Sequence, residues 1–362
     1  MIVDLLILFA KIVFTVIFIV LTLGALLSWV ERKQSAMIQD RIGPNRASIL
    51  GLRVFGLFHP IADGLKMIFK EDFIPDNADR VVHTLAPVLA MIPVLVGFAV
   101  IPFGDELRIA GRTINLVVAD VNIGLLFLLA MSGLSVYGIF LGGWSSNNKW
   151  SMMGGLRALS QMISYEVTLG LSLIGAIMWF GSVRLTDMVH AQGAYLFGFL
   201  PAWGIFVQPF GFLLFLIASI AESKRAPFDL VEGESEIIGF FLEYSGLKFA
   251  MFYLGEFMEV AVLAGLLATI FFGGWQVPYL TAQGFQFPGM TTAIAMPHLL
   301  VAALQVAAFL FKVVALCWFQ LLVRWTLPRF RYDQLMRLCW KNLLPLSFVN
   351  IAVTGVLIAL FM

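Results

Sequence analysis

The sequence predicts an all-α fold, a polytopic membrane helix bundle with eight transmembrane helices and one amphipathic helix in the interface. Three observations carry this. Mean hydropathy is +0.94, and the chain is 60 % hydrophobic but only 12 % charged. Eight apolar runs reach about the length that a bilayer requires, near 5–30, 84–104, 121–143, 158–181, 199–221, 248–273, 298–323 and 342–361. No long polar segment interrupts them, so residues 1–362 read as a single integral membrane domain. The basic residues also alternate from side to side. The segments at 31–83, 142–157, 222–248 and 324–341 hold eighteen Lys or Arg, and the opposite loops hold only Arg108, Arg112 and Arg184. The positive-inside rule then places both termini on the non-cytoplasmic side.

The first span is too long for a signal-peptide core and reads as retained. It ends in Trp29-Val-Glu-Arg-Lys33, an aromatic anchor followed by charge. Arg41-Ile-Gly-Pro-Asn-Arg46 supplies a turn. Around Pro60, His59, Asp63, Lys66 and Lys70 recur at spacings of 4, 3 and 4, and Leu57, Ile61, Leu65 and Ile68 mark another face. That pattern predicts a helix lying in the interface, either a brace or the lip of a site. Prolines 87, 93 and 102 in the second span, and 201 and 209 in the fifth, predict kinks or breaks. The glycine-rich 142–157 stretch reads as a docking loop.

Intramembrane acids are the informative charges, because an ionised side chain in hydrocarbon costs roughly 3 kcal/mol or more. Glu166 lies in the fourth span. Glu256 and Glu259 share one side of the sixth, where close like charges favour one carboxyl holding a proton, and Lys312 in the seventh span is a candidate partner. Each has a structural reading as an ion pair and a functional reading as a proton relay. The densest stretch is Glu222–Glu236, with five carboxylates, Lys224 and Arg225. With Glu243, Glu256 and Glu259 it gathers eight of the 22 acids.

Several functions are disfavoured. Cys317 and Cys339 lack metal-ligand spacing, so no metal or iron–sulfur cluster is expected in this chain. The four histidines do not form mid-membrane pairs, which argues against bis-histidine haem. No nucleotide-binding glycine pattern is present, and the basic residues are spread along membrane edges, which offers nothing to nucleic acid. Any electrons must therefore arrive from another subunit.

Taken in order, these segments resemble the H-subunit family of bacterial NADH–quinone oxidoreductase, respiratory complex I. The resemblance rests on Glu31-Arg-Lys, Arg41-Ile-Gly-Pro-Asn45, Ile61-Ala-Asp-Gly-Leu-Lys66, Lys70-Glu-Asp72, Gly143-Trp-Ser-Ser-Asn147, Ser164-Tyr-Glu166, Arg225-Ala-Pro-Phe-Asp-Leu230, Glu232 to Glu236, Glu243-Tyr-Ser245 and Pro328–Met336. Two departures are Ser223-Lys224, where Thr-Asn is expected before the arginine, and a long 274–297 loop with no implied role.

The resemblance implies a translocase subunit forming most of a chamber in which quinone, such as ubiquinone, is the substrate. NADH, FMN and iron–sulfur clusters belong to partner subunits. Partners would be the iron–sulfur and quinone-site subunits of a peripheral arm on the cytoplasmic side, and small and antiporter-like subunits in the bacterial inner membrane. Chamber residues are then Glu31, Arg32, Arg41, Asp63, Arg225, Asp229, Glu232 and Phe240. The proton path takes Glu166, Glu222, Glu234, Glu236, Glu243, Glu256 and Glu259. Arginines suit the negative charge created on quinone, and acids suit proton delivery. Alternatives are the related membrane subunit of a membrane-bound hydrogenase or formate hydrogenlyase, a free-standing ion transporter, and a passive anchor.

Overall fold

The computed structural model describes residues 2–109, 111–233, 236–287 and 294–361. Helix α1 (Ile2–Val13) passes through a π-helical stretch, Phe14–Leu21, into α2 (Thr22–Ile38), giving one long apolar rod. Helix α3 (His59–Phe69) is short and has no buried residue; Pro60 stands in its first turn. Its apolar residues Ile61, Leu65 and Ile68 face outward, as the interfacial pattern predicts. The loop before α3 is held by a close approach. Gly56 has φ +83°, and a Cβ there would collide with the Pro44 carbonyl oxygen.

Helix α4 (Arg80–Gly97) starts on an Asp79 cap, runs through Pro87 and Pro93, and ends in a 3-10 turn. The antiparallel hairpin β1 (Glu106–Ile109) and β2 (Arg112–Asn115) pairs Glu106 with Asn115. Helices α5 (Gly124–Ser145) and α6 (Lys149–Phe180) follow. Only residues 146–148 separate them, so the expected docking loop at 142–157 is mostly helix. Its glycines serve close packing instead: a Cβ on Gly154 would lie 2.7 Å from the Phe240 backbone nitrogen.

The short helix α7 (Leu185–Ala191) and the two-residue strands β3 (Tyr195–Leu196) and β4 (Leu200–Pro201) lead to a divided fifth span. It consists of α8 (Gly204–Val207) and α9 (Pro209–Glu222). Gln208, at φ −131° and ψ 57°, is the break, and its amide nitrogen donates to the Thr354 hydroxyl. Proline at 209 and a satisfied polar side chain explain why this span divides. Helix α10 (Gly246–Phe271) is the buried centre. A small sheet, β5 (Leu280–Thr281), β6 (Gly284–Phe285) and β7 (Ile294–Ala295), precedes α11 (His298–Thr326). Helix α12 (Tyr332–Arg337) runs by a π-helical stretch into α13 (Leu344–Phe361).

Seven helices among the described residues are long and apolar enough to cross a membrane, and the divided α8–α9 segment is the shorter eighth apolar run. Neighbours pack in the sequence α4–α5–α6–α9, with α10 against α4 and α9, and α2 and α11 outside α10. The core joins these elements through Phe98, Leu128, Tyr165, Phe215, Phe257 and Phe271.

Candidate functional site

The two halves of the site lie at the end of the bundle that carries the basic segments. The first is open. Glu31, Arg32 and Ser35 of α2, the returning 41–46 segment, His59 of α3 and Trp325 of α11 line a cavity of about 510 Å³. Arg32 reaches Asp63 on α3 at 2.6 Å. Arg41 stands on the rim, donating to the Gln39 side chain at 2.7 Å. Thus α3 presents Asp63 inward to a guanidinium and its apolar stripe outward.

The second half is closed, and the segment after α9 builds it. The helix stops at Glu222, Lys224 takes φ +55°, and Pro227 prevents a new turn. Gln161 of α6 holds the segment by donating to the carbonyls of Ala221 and Phe228, at 2.8 and 2.9 Å. Phe228 stacks on Phe330, and the Phe330 amide donates to the Pro227 carbonyl. The chain's own α6 and 327–336 segment thus cover this acidic segment and supply Arg329 to Asp229 and Arg157 to Glu236.

A connected line of ion pairs results. Glu31 accepts from Arg324 at 2.6 Å and from Arg225 at 3.0 Å. Arg225 also approaches Glu256 at 3.7 Å and lies over the Phe257 ring. Glu232 sits beside Glu256, and burial next to that carboxylate raises its pKa well above the ordinary glutamate value. Asp229 accepts from Arg329 at 2.9 Å; burial outweighs that arginine and raises its pKa too. Lys224 donates to Glu259 at 2.8 Å, with the two side chains only 2 % and 6 % exposed. Burial works against the Lys224 ammonium, but Glu259 and Glu256 outweigh it and hold its proton more tightly than usual.

Beyond Lys224, Glu222 is fully buried with neither carboxylate oxygen hydrogen-bonded, and it interacts electrostatically with Glu259 and Glu166. Glu166 points at Gly133 of α5, where a Cβ would lie 2.6 Å from its Oε1. That glycine is what leaves room for the carboxyl. A small cavity of about 10 Å³, bounded by Lys224, Phe240, Phe252, Glu256 and Glu259, lies against the line. That is about the threshold for one water.

Not every expected residue joins. Phe240 is buried among the acids, away from the open cavity, packed on Phe241 and Phe252. Glu236 pairs with Arg157 at 2.7 Å near the surface, and Glu243 accepts from Asn148 at 2.7 Å. Glu234 lies outside the described residues. The expected partnership of Lys312 with Glu256 and Glu259 is wrong. Its ammonium donates to the carbonyls of Phe272, Gly274 and Gln276 past the end of α10, at 2.7 to 2.9 Å. A free helix terminus offers carbonyls that a lysine one span away can satisfy, and hydropathy depth does not distinguish that from a mid-span pair. The residues that sequence reasoning leaves without a role are Lys224 in the line, Arg324 and Arg329 at its mouth, and Gln161 beneath it. In the sequence Arg324 and Arg329 are visible only as part of a basic loop. Among the described residues no His/Cys/Asp/Glu group could hold a metal, and both cysteines are buried and free.

Fold and site together define an integral-membrane helix bundle that carries a buried chain of alternating charges from an open, arginine-lined cavity. The NADH dehydrogenase family matches residues 10–355. The second H subunit of NADH-quinone oxidoreductase from Geobacter sulfurreducens is 46 % identical, covering 94 % of this chain and 93 % of that protein. The corresponding H subunit of Thermomicrobium roseum is 45 % identical over 94 % and 93 %, and the second one of Rhizobium etli is 42 % identical over 99 % and 96 %. The chain belongs to the NADH dehydrogenase family, as a membrane subunit of NADH–quinone oxidoreductase whose electrons are supplied by other subunits.

Proposed function

We propose that this chain forms most of the quinone chamber of the enzyme and passes the consequence of quinone reduction to a proton path. The observation that carries this is the row of ion pairs from Arg324 and Glu31, beside the open cavity, through Arg225 to Glu256, with the buried Lys224–Glu259 pair within electrostatic range of Glu256. A hydrophobic quinone tail needs an apolar approach, which the outward face of α3 supplies through Ile61, Leu65 and Ile68. The head group needs cationic donors, and Arg32, Arg41 and Arg46 line the cavity. Negative charge on a reduced quinone is stabilised by such preorganised donors. A change of charge there alters the balance at Glu31 and Arg225, and through them at Glu256 and Glu232, where a proton can be held or given up.

In this reading the basic end faces the cytoplasm, both termini lie on the other side of the bacterial inner membrane, and the peripheral arm docks over the cavity. The adjoining membrane subunits receive the coupling beyond Glu166. Asp63→Ala removes the partner of Arg32 at the chamber lip. It is expected to lower quinone reduction by about fivefold while the complex still assembles, the loss of a partly exposed ion pair being worth about 1 kcal/mol. Full activity with unchanged quinone KM would refute a chamber role for this cavity.

A further inference from the structure

We propose that Lys224 is a positioning residue of the proton path: its ammonium keeps Glu259 ionised and exchanges between Glu259 and Glu222, so that the two acids share one proton. The inference rests on the path reading above. Three observations support it. Lys224 and Glu259 form a buried pair at 2.8 Å, and the carboxylate of Glu222, also buried and within electrostatic range of both, has no hydrogen-bond partner among the described residues. One ammonium neutralises one carboxylate. A second bare carboxylate in this dry site is costly, so the other acid carries a proton.

Lys224 also adopts φ +55°, a left-handed conformation that a side chain such as asparagine tolerates better. A strained lysine held where a more compliant residue would fit points to a functional constraint. Finally, Glu259 is the hydrogen-bonded partner of the ammonium, and the nearby Glu256 is itself approached by Arg225 at 3.7 Å. The charged groups that face it are Glu256 and Glu259 from α10 and Glu222 from α9, and Glu166 of α6 lies next along. The walls contributed by α4 and α5 are Ala90, Val94, Ser135 and Ile139.

The exchange balances. In one state Glu259 is ionised and paired with Lys224, and Glu222 is protonated. A proton arriving from the Glu256 side binds Glu259. The ammonium, which keeps its own protons throughout, turns to Glu222 as that acid releases its proton toward Glu166. The cluster stays neutral in both states, one proton enters, and one leaves.

The test compares parent, Lys224→Asn and Lys224→Arg in full complexes reconstituted into vesicles. Quinone reduction and proton translocation are measured across pH. Both are scaled per complex by NADH oxidation with an artificial acceptor that takes electrons before the quinone. Without the ammonium the Glu259 carboxylate loses the cation hydrogen-bonded to it, so the acid limb of the Asn variant should move to alkaline pH by about one to three units. A one-unit move lowers activity roughly fivefold at the parental midpoint. The Arg variant keeps the cation and the parental midpoint. An unmoved profile in Lys224→Asn, or a fall equal at every pH, overturns the proposal. Glu259→Gln separates the two levels. If it blocks pumping while Lys224→Asn has the parental profile, only the lysine switch fails; if it pumps normally, the path reading fails.

Discussion

Charges gather at both ends of this bundle, and the two collections differ in burial as well as in number. At the basic end, Lys224, Arg225, Glu256 and Glu259 are almost inaccessible, and each ion pair shares a member or a neighbour with the next. At the opposite end, Arg184 joins Asp120 and Asp187, Arg112 joins Asp4, and Arg108 joins Glu106, with most of these side chains a third to two-thirds exposed. Hydrogen bonds from Arg184 depress the Asp120 pKa, while burial raises that of Asp105 beside His190. These pairs tie loops to one another: Asp120 also accepts from Thr186, and Lys11 donates to the Val117 carbonyl. Solvent screens these pairs and weakens the influence of one on the next. Exposed pairs therefore brace a surface, whereas buried pairs that share members must respond together.

The largest expected contrast is at Arg225. Arg225→Met removes one cation from between Glu31 and Glu256 and leaves Glu256 unneutralised. Breaking a buried pair in this way costs about 3–5 kcal/mol, so assembled complex and quinone turnover should both fall about tenfold or more. Arg225→Lys should recover little, because a point ammonium cannot reach both carboxylates, at 3.0 and 3.7 Å, as the guanidinium fork does. Normal yield and turnover in Arg225→Met would place the line on a par with the surface pairs.

A smaller effect is expected at Glu232. Its carboxyl titrates higher in the fold than in the unfolded chain, so the folded state binds more protons between those two pKa values. Its contribution to stability is complete below the ordinary glutamate range and is lost as pH rises through the folded value. Glu232→Gln should flatten the decline in thermal stability of the purified complex across that window. An unchanged slope would remove Glu232 from the coupled group. Smallest is Arg184→Gln, at the opposite end. There the pair is partly screened and worth about 1 kcal/mol or less, and proton translocation per NADH should match the parent. A pumping defect in this variant would erase the distinction between the two ends.

Much of this is legible in the chain. Apolar run length locates the spans, and the His59–Lys70 spacing locates α3, because both depend on local periodicity. Motif order identifies the family and names most of the line, including Glu31, Arg225 and Glu256. What stays hidden depends on pairing between distant segments. Depth alone sets Lys312 beside the acids, yet its ammonium satisfies carbonyls past the end of α10. Lys224 reads as one more loop charge until Gln161 and Pro227 turn it toward Glu259. Residues 142–157 read as a loop because glycine serves both turns and close helix packing, and only the neighbouring Phe240 backbone decides between them.

The central claim is that the buried line carries protons, and proton translocation in reconstituted complexes tests it most directly. Glu166→Gln, Glu256→Gln and Glu259→Gln keep size and hydrogen bonding but cannot ionise. Each should assemble and oxidise NADH with an artificial acceptor at the parental rate. With quinone, each should pump about a hundredfold more slowly or worse, within the range that loss of one proton-transfer group produces, and the triple variant should be no better. If all three single variants and the triple variant pump at the parental rate, these acids are structural and the line is not a path.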